Sequence, residues 1–156
     1  MNIFLILLLS ISTCFSVFML VKSAKNAHEL PDSASSFSYH YNNKIFTIWC
    51  VILAITCLHI LPFKLWYLSA LQFIGLLMVG FTPKYKTKNH TLHWIGGYLF
   101  GLASQGAVFF MNSKLLFVWL LFPIVFMYKD WKENATLIAE FICWSLLVIC
   151  CILNLY

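Results

Sequence analysis

Six apolar runs divide this amino-acid sequence, and they limit the fold more than any other feature. They cover residues 2–21, 45–61, 65–81, 91–111, 115–128 and 135–155. An α-helix rises about 1.5 Å per residue, so about twenty residues match a hydrocarbon core roughly 30 Å thick. The chain is 62% hydrophobic and 10% charged, whereas soluble domains average about 25% charged residues. A soluble fold of 156 residues has too little interior to hide that much apolar surface. The expectation is an all-α, polytopic transmembrane helical bundle, a single domain of six spans.

The fifth run, 115–128, is short. As an α-helix it rises only about 21 Å. It must lean on Lys114 and Lys129 reaching toward the headgroups, or thin the bilayer. Pro123 within it predicts a kink. A re-entrant path for this run leaves five spans.

Lysine placement sets the expected orientation. One side of a six-span chain carries Lys22, Lys25, Lys44, Lys84, Lys86, Lys88, Lys129 and Lys132, and the other only Lys64 and Lys114. The positive-inside rule then puts loops 22–44, 82–90 and 129–134 in the cytoplasm and both termini outside, in a plasma (inner) membrane. Lysines follow the first run rather than precede it, which is the pattern of an uncleaved anchor. Only loop 22–44 is long. Tyr39 and Tyr41 within it suggest a segment lying along the membrane surface at headgroup level. All ten basic residues are lysine. The lack of arginine, the usual bidentate phosphate reader, argues against nucleic acid despite a net charge of +5.

An ionisable residue inside a bilayer is costly and is a candidate for function by default. Glu140 is the only acid within a run, early in the sixth. His90 and His93 open the fourth run one turn apart, at a similar depth, while His59 and Gln105 lie nearer the opposite side. His90, His93 and Glu140 are therefore the candidate catalytic or zinc-binding set, and His59 is too far across to join them. Gly97 and Gly101 form a small-x-x-x-small pair expected to let another helix approach closely. The turn Gly80–Lys88 carries Lys84, Lys86 and Lys88, a juxtamembrane site for anionic lipid headgroups worth about 1 kcal/mol per lysine. The cysteines all lie in apolar runs and read as small packing residues. Asn89-His90-Thr91 and Asn134-Ala135-Thr136 match the glycosylation pattern, but on the expected cytoplasmic side, so both read as chance.

Pro31-x-Ser33-x-Ser35, with Tyr39, Tyr41 and Ile45-Phe46 after it, resembles the Pro-x-Ile-Ser…Phe signature of a six-span superfamily of DRAM-like autophagy modulators and many bacterial and phage membrane proteins. His93-x-x-Gly96-Gly97, preceded by Thr82-Pro83, is similar to the His-x-x-Gly-Ala that opens a later helix there. The pattern departs at Ala34 and Gly97. The resemblance implies a six-span architecture more than a reaction, and it implies an outward-facing first loop where the lysine count implies an inward one.

Three functions remain open. The leading expectation is a non-enzymatic protein that engages lipids, a partner membrane protein or further copies of itself, with no cofactor. The second is an intramembrane enzyme acting on lipid headgroups with zinc held by His90, His93 and Glu140. The third is a proton-linked transporter or small pore using Glu140, His59 and Gln105.

Overall fold

A computed structural model describes residues 3–27, 33–40, 42–82, 90–127 and 134–153. All regular structure among them is helical. The α-helices are α1 (Ile3–Ala27), α2 (Phe37–His40), α3 (Asn43–Ile60), α4 (Trp66–Gly80), α5 (His90–Asn112) and α6 (Ala135–Leu153). Tighter 3-10 turns occupy Ala34–Ser36 and Phe63–Leu65, and a long 3-10 segment runs Ser113–Met127.

Local chemistry explains most boundaries. The Asn42 side chain accepts the Lys44 backbone N–H at 2.8 Å, capping the start of α3. That helix stops at Ile60 because Leu61, ahead of Pro62, is extended. The next turn closes with the Leu65 N–H on the Pro62 carbonyl at 2.8 Å and feeds straight into α4. At the far end of α4, the Phe81 and Thr82 N–H groups bond back to Leu77 and Val79. One boundary differs from expectation. α1 continues to Ala27 rather than ending at Val21, carrying Lys22 and Lys25 on exposed helix. Long lysine stems reach polar surroundings from a helix that still has apolar neighbours, so the lysines need not end it.

α4 lies between α3 and α5, and these two contacts form the centre of the bundle. α5 and α4 run antiparallel, Gly75 facing Gly96 and Leu68 facing Gly106. The crossing is close: a Cβ on Gly75 would stand 2.6 Å from the Gly96 carbonyl oxygen, and one on Gly96 2.7 Å from the Gly75 carbonyl oxygen. The close approach expected at Gly97 and Gly101 thus falls one residue earlier, and a Cβ on either of those glycines would meet nothing within 4 Å. Adjacent helical positions point about 100° apart, so a shift of one residue turns Gly97 outward.

The fifth run is more extended along its axis than an α-helix. A 3-10 helix rises about 2.0 Å per residue, so the 15 residues of Ser113–Met127 extend about 30 Å instead of the roughly 22 Å of an α-helix. The segment doubles back beside α5, because Trp119 reaches Gln105 with a hydrogen bond of 2.8 Å. A straight continuation would hold those residues more than about 20 Å apart along the axis. Only Val125 of this segment is buried.

Four helical stretches among the described residues are long and apolar enough to cross a membrane: Asn43–Ile60, Phe63–Gly80, His90–Met127 and Ala135–Leu153. The third contains both α5 and the 3-10 segment. The corresponding apolar stretch of α1, Leu7–Met19, is shorter. Large apolar side chains face outward along the bundle, Phe63 at 91% exposure, Met127 at 78% and Leu102 at 74%. A surface of this kind is consistent with a membrane location.

Candidate functional site

The polar side chains inside the bundle define where chemistry is available, and most meet one another across helices. The first group lies where residues 33–38 fold inward. Ser33, Ser35, Ser36, Phe37 and Ser38 are all buried, and the Ser33 hydroxyl lies 3.1 Å from that of Ser35 and 3.0 Å from that of Ser36. Phe37 stacks on Trp49 of α3 with ring centroids 5.5 Å apart. Above this turn, the Glu140 carboxylate accepts the Ala34 backbone N–H at 2.6 Å. The part of the first loop expected along the membrane surface therefore enters the bundle at residues 33–38, because its serines bond one another and Phe37 supplies an apolar anchor. Tyr39 is exposed as expected; Tyr41 lies outside the described residues.

The second group joins the end of α4 to the start of α5. His93 is buried, and its Nδ1 lies 3.0 Å from the Thr82 hydroxyl and 3.1 Å from the Thr82 carbonyl. The Thr82 hydroxyl itself donates to the Met78 carbonyl at 2.6 Å. A proton on Nδ1, donated to the Thr82 carbonyl, satisfies both residues. His90, three positions earlier, is exposed, and its Nε2 accepts the Trp94 indole N–H at 2.7 Å. Nearby, the Thr47 hydroxyl donates to the Gly80 carbonyl at 2.7 Å, tying α3 to the last turn of α4.

His90, His93 and Glu140 each have a hydrogen bond described here, to an indole, a threonine and a backbone amide. Among the described residues no three His, Cys, Asp or Glu side chains gather as a metal would require. The zinc-holding arrangement draws no support from this geometry. Lys84, Lys86 and Lys88 lie outside the described residues.

Deeper in the bundle, Gln105 joins three elements. Its Oε1 accepts the Trp119 indole N–H, and its Nε2 donates to the Cys143 carbonyl of α6 at 3.3 Å. His59 is exposed near the other end, edge-on to Phe4 at 5.7 Å. Glu140, Gln105 and His59 therefore engage separate partners, and no hydrogen bond links one to another among those the structure shows.

Sequence reasoning missed the seam between α1 and α3. Trp49 donates its indole N–H to the Ser16 hydroxyl at 2.9 Å, and Ser16 donates to the Ser12 carbonyl at 2.8 Å. The Ser12 and Thr56 hydroxyls are also hydrogen-bonded, both fully buried. Ser12 and Ser16 are one turn apart, and Trp49 and Thr56 two turns apart, so both pairs share a helix face. That spacing was the available signal.

No family model, curated protein or solved structure matches this chain. Its function must be argued from these contacts alone. Most of the buried groups named here bond a neighbouring element or their own helix.

Proposed function

We propose that the chain is a six-span integral membrane protein without catalytic activity, whose polar residues hold a bundle together and whose outer surface engages lipids or a partner membrane protein. The Glu140–Ala34 contact carries this reading. The only acid within an apolar run accepts a hydrogen bond from the main chain, which suits a packing role. His93 on Thr82 and Gln105 on Trp119 support the same reading. Helix association in lipid gains nothing from the hydrophobic effect, so hydrogen bonds and close-packed small residues take its place. The outward apolar side chains suit a lipid surround.

The six-span count follows from α1, α3, α4, α5, the extended 3-10 segment and α6 each crossing once. Plasma-membrane location, cytoplasmic loops at 22–44, 82–90 and 129–134, outer termini, and kinship with the DRAM-like superfamily belong to the same proposal. So does attraction of anionic lipid to Lys84, Lys86 and Lys88.

Native mass spectrometry of protein released from bilayers tests it. The expected result is retained lipid or a retained partner, with anionic lipid favoured over zwitterionic lipid and that preference lost in a Lys84→Gln, Lys86→Gln, Lys88→Gln variant. A bare monomer under conditions that keep lipid on other multispan proteins overturns the proposal. Near-stoichiometric zinc in the wild type that disappears in His93→Ala would replace it with the enzyme reading.

A further inference from the structure

Gln72 sits in the middle of α4 with 0% of its surface exposed. Its Nε2 donates to the Ser104 hydroxyl of α5 at 3.3 Å. Its Oε1 is buried and has no hydrogen-bond partner among the described residues. Turning the amide over does not cure this. Ser104 would then donate to Oε1, and Nε2 would lose its acceptor. With one partner for two ends, one end of the Gln72 amide is unsatisfied in either orientation.

An unsatisfied buried amide is rare in water-soluble proteins and costlier in a membrane, where no solvent reaches it. Few groups could supply the missing bond. Acyl chains have no donors. A partner chain or a lipid headgroup cannot reach a side chain with no exposed surface. A single water, enclosed as the helices assemble, can.

Helix register indicates which groups would surround such a molecule. α4 and α5 touch backbone to backbone at Gly75 and Gly96, one turn from Gln72. A Cβ added at Gly106 would stand 3.7 Å from the nearest Leu68 methyl, an ordinary contact, so the two helices are no longer pressed together there. The antiparallel register between these two points puts Ser69 level with Ser104, and both are buried. Ser69 and Gln72 share a face of α4 by their spacing of three. By this register two hydroxyls stand level with the orphaned amide end, just past the crossing. A buried water needs two to four polar partners, and this cluster offers that number.

We propose that an ordered water molecule is bound inside the bundle between α4 and α5, held by the Gln72 amide with the hydroxyls of Ser69 and Ser104. It makes a polar site within the span, and the site stands whether or not the outer surface binds a partner.

The chain simplifies the test, since Gln72 and Gln105 are its only glutamines. Protein carrying 15N in the glutamine side chains, perdeuterated and placed in lipid bilayers in ordinary water, gives two side-chain amide signals in proton-detected solid-state NMR. A Gln105→Leu variant leaves one and assigns it. The expected result in the wild type is a cross-peak between the Gln72 amide protons and the water resonance. Its loss, with the signal itself, in Gln72→Met completes the assignment. No water cross-peak at Gln72, when a uniformly 15N-labelled sample in the same bilayers shows one for amides at the helix ends, overturns the proposal. A cross-peak from Gln72 to a protein proton other than the Ser104 hydroxyl, in place of water, also overturns it, by naming an internal donor. The deciding measurement uses the wild-type protein, so a variant that fails to fold does not affect it.

Discussion

The carboxylate of Glu140 and the backbone N–H of Ala34 meet at 2.6 Å although 106 positions separate them in the chain. This contact fastens the turn at residues 33–38 to α6. A carboxylate accepting a main-chain N–H is a charge-assisted bond, stronger than a neutral one. Glu140→Gln keeps an acceptor and is expected to hold residues 33–38 in place. Glu140→Ala leaves the Ala34 N–H without that acceptor, and such losses cost about 1.5–3 kcal/mol. Hydrogen exchange of the amides of residues 33–38 is then expected to quicken about tenfold or more. Equal exchange in both variants and the wild type would show that Glu140 does not hold the loop.

Glycine substitutions separate the real crossing from the apparent one. Gly75→Ala and Gly96→Ala each place a methyl group against backbone at 2.6–2.7 Å, where the neighbouring atoms cannot move aside. Each is expected to cost about 1–3 kcal/mol through overpacking. Gly97→Ala and Gly101→Ala meet open space within the chain and gain helix propensity, up to about 1 kcal/mol. Thermal unfolding in detergent should therefore lower the midpoint for the first pair and leave it level or raised for the second. A drop for the second pair as well would reveal a partner helix on that face.

The His93–Thr82 bond predicts a smaller effect. Interhelical hydrogen bonds in membranes average about 0.6 kcal/mol, reaching about 1.7. His93→Ala should cost about 1 kcal/mol in a denaturing-detergent titration, and Thr82→Val less, because the Thr82 carbonyl that accepts the Nδ1 proton stays in place. Because the Thr82 hydroxyl also lies 3.0 Å from Nδ1, the double variant is expected to lose less than the sum. Full additivity would mean that they act separately.

How much of this was legible beforehand depends on the kind of information each feature needs. The boundaries of α3, α4, α5 and α6 fall within two residues of the apolar runs 45–61, 65–81, 91–111 and 135–155. Polar residues and prolines end those runs, and helices obey the same residues. The inward fold at Ser33–Ser38 was hidden because serines look like a solvated linker until Phe37 and Glu140 are brought to them. Gly96, Gly97 and Gly101 are all small, so composition cannot choose which of them faces α4; that choice depends on Gly75 opposite. The sites of Glu140 and His93 were recognisable as polar residues in apolar surroundings. Their partners, a backbone amide and the Thr82 carbonyl, carry no residue signature.

The pitch of Ser113–Met127 has a mechanical consequence. Only Val125 is buried, with Leu115, Leu116 and Trp119 partly buried against the core, so the winding of this segment is expected to yield more readily than that of α4 or α5. Rewinding all 15 residues from the 3-10 form to α would shorten it by about 7 Å. Natural membranes span a similar range, from about 27 to 33 Å of hydrocarbon. Spin labels near the two ends are expected to draw several ångströms closer when long-chain lipids are exchanged for short ones; an unchanged distance would mean a rigid rod. If the distance follows the lipid, this strand acts as a spring, its tension set by the thickness of the sheet in which it is stretched.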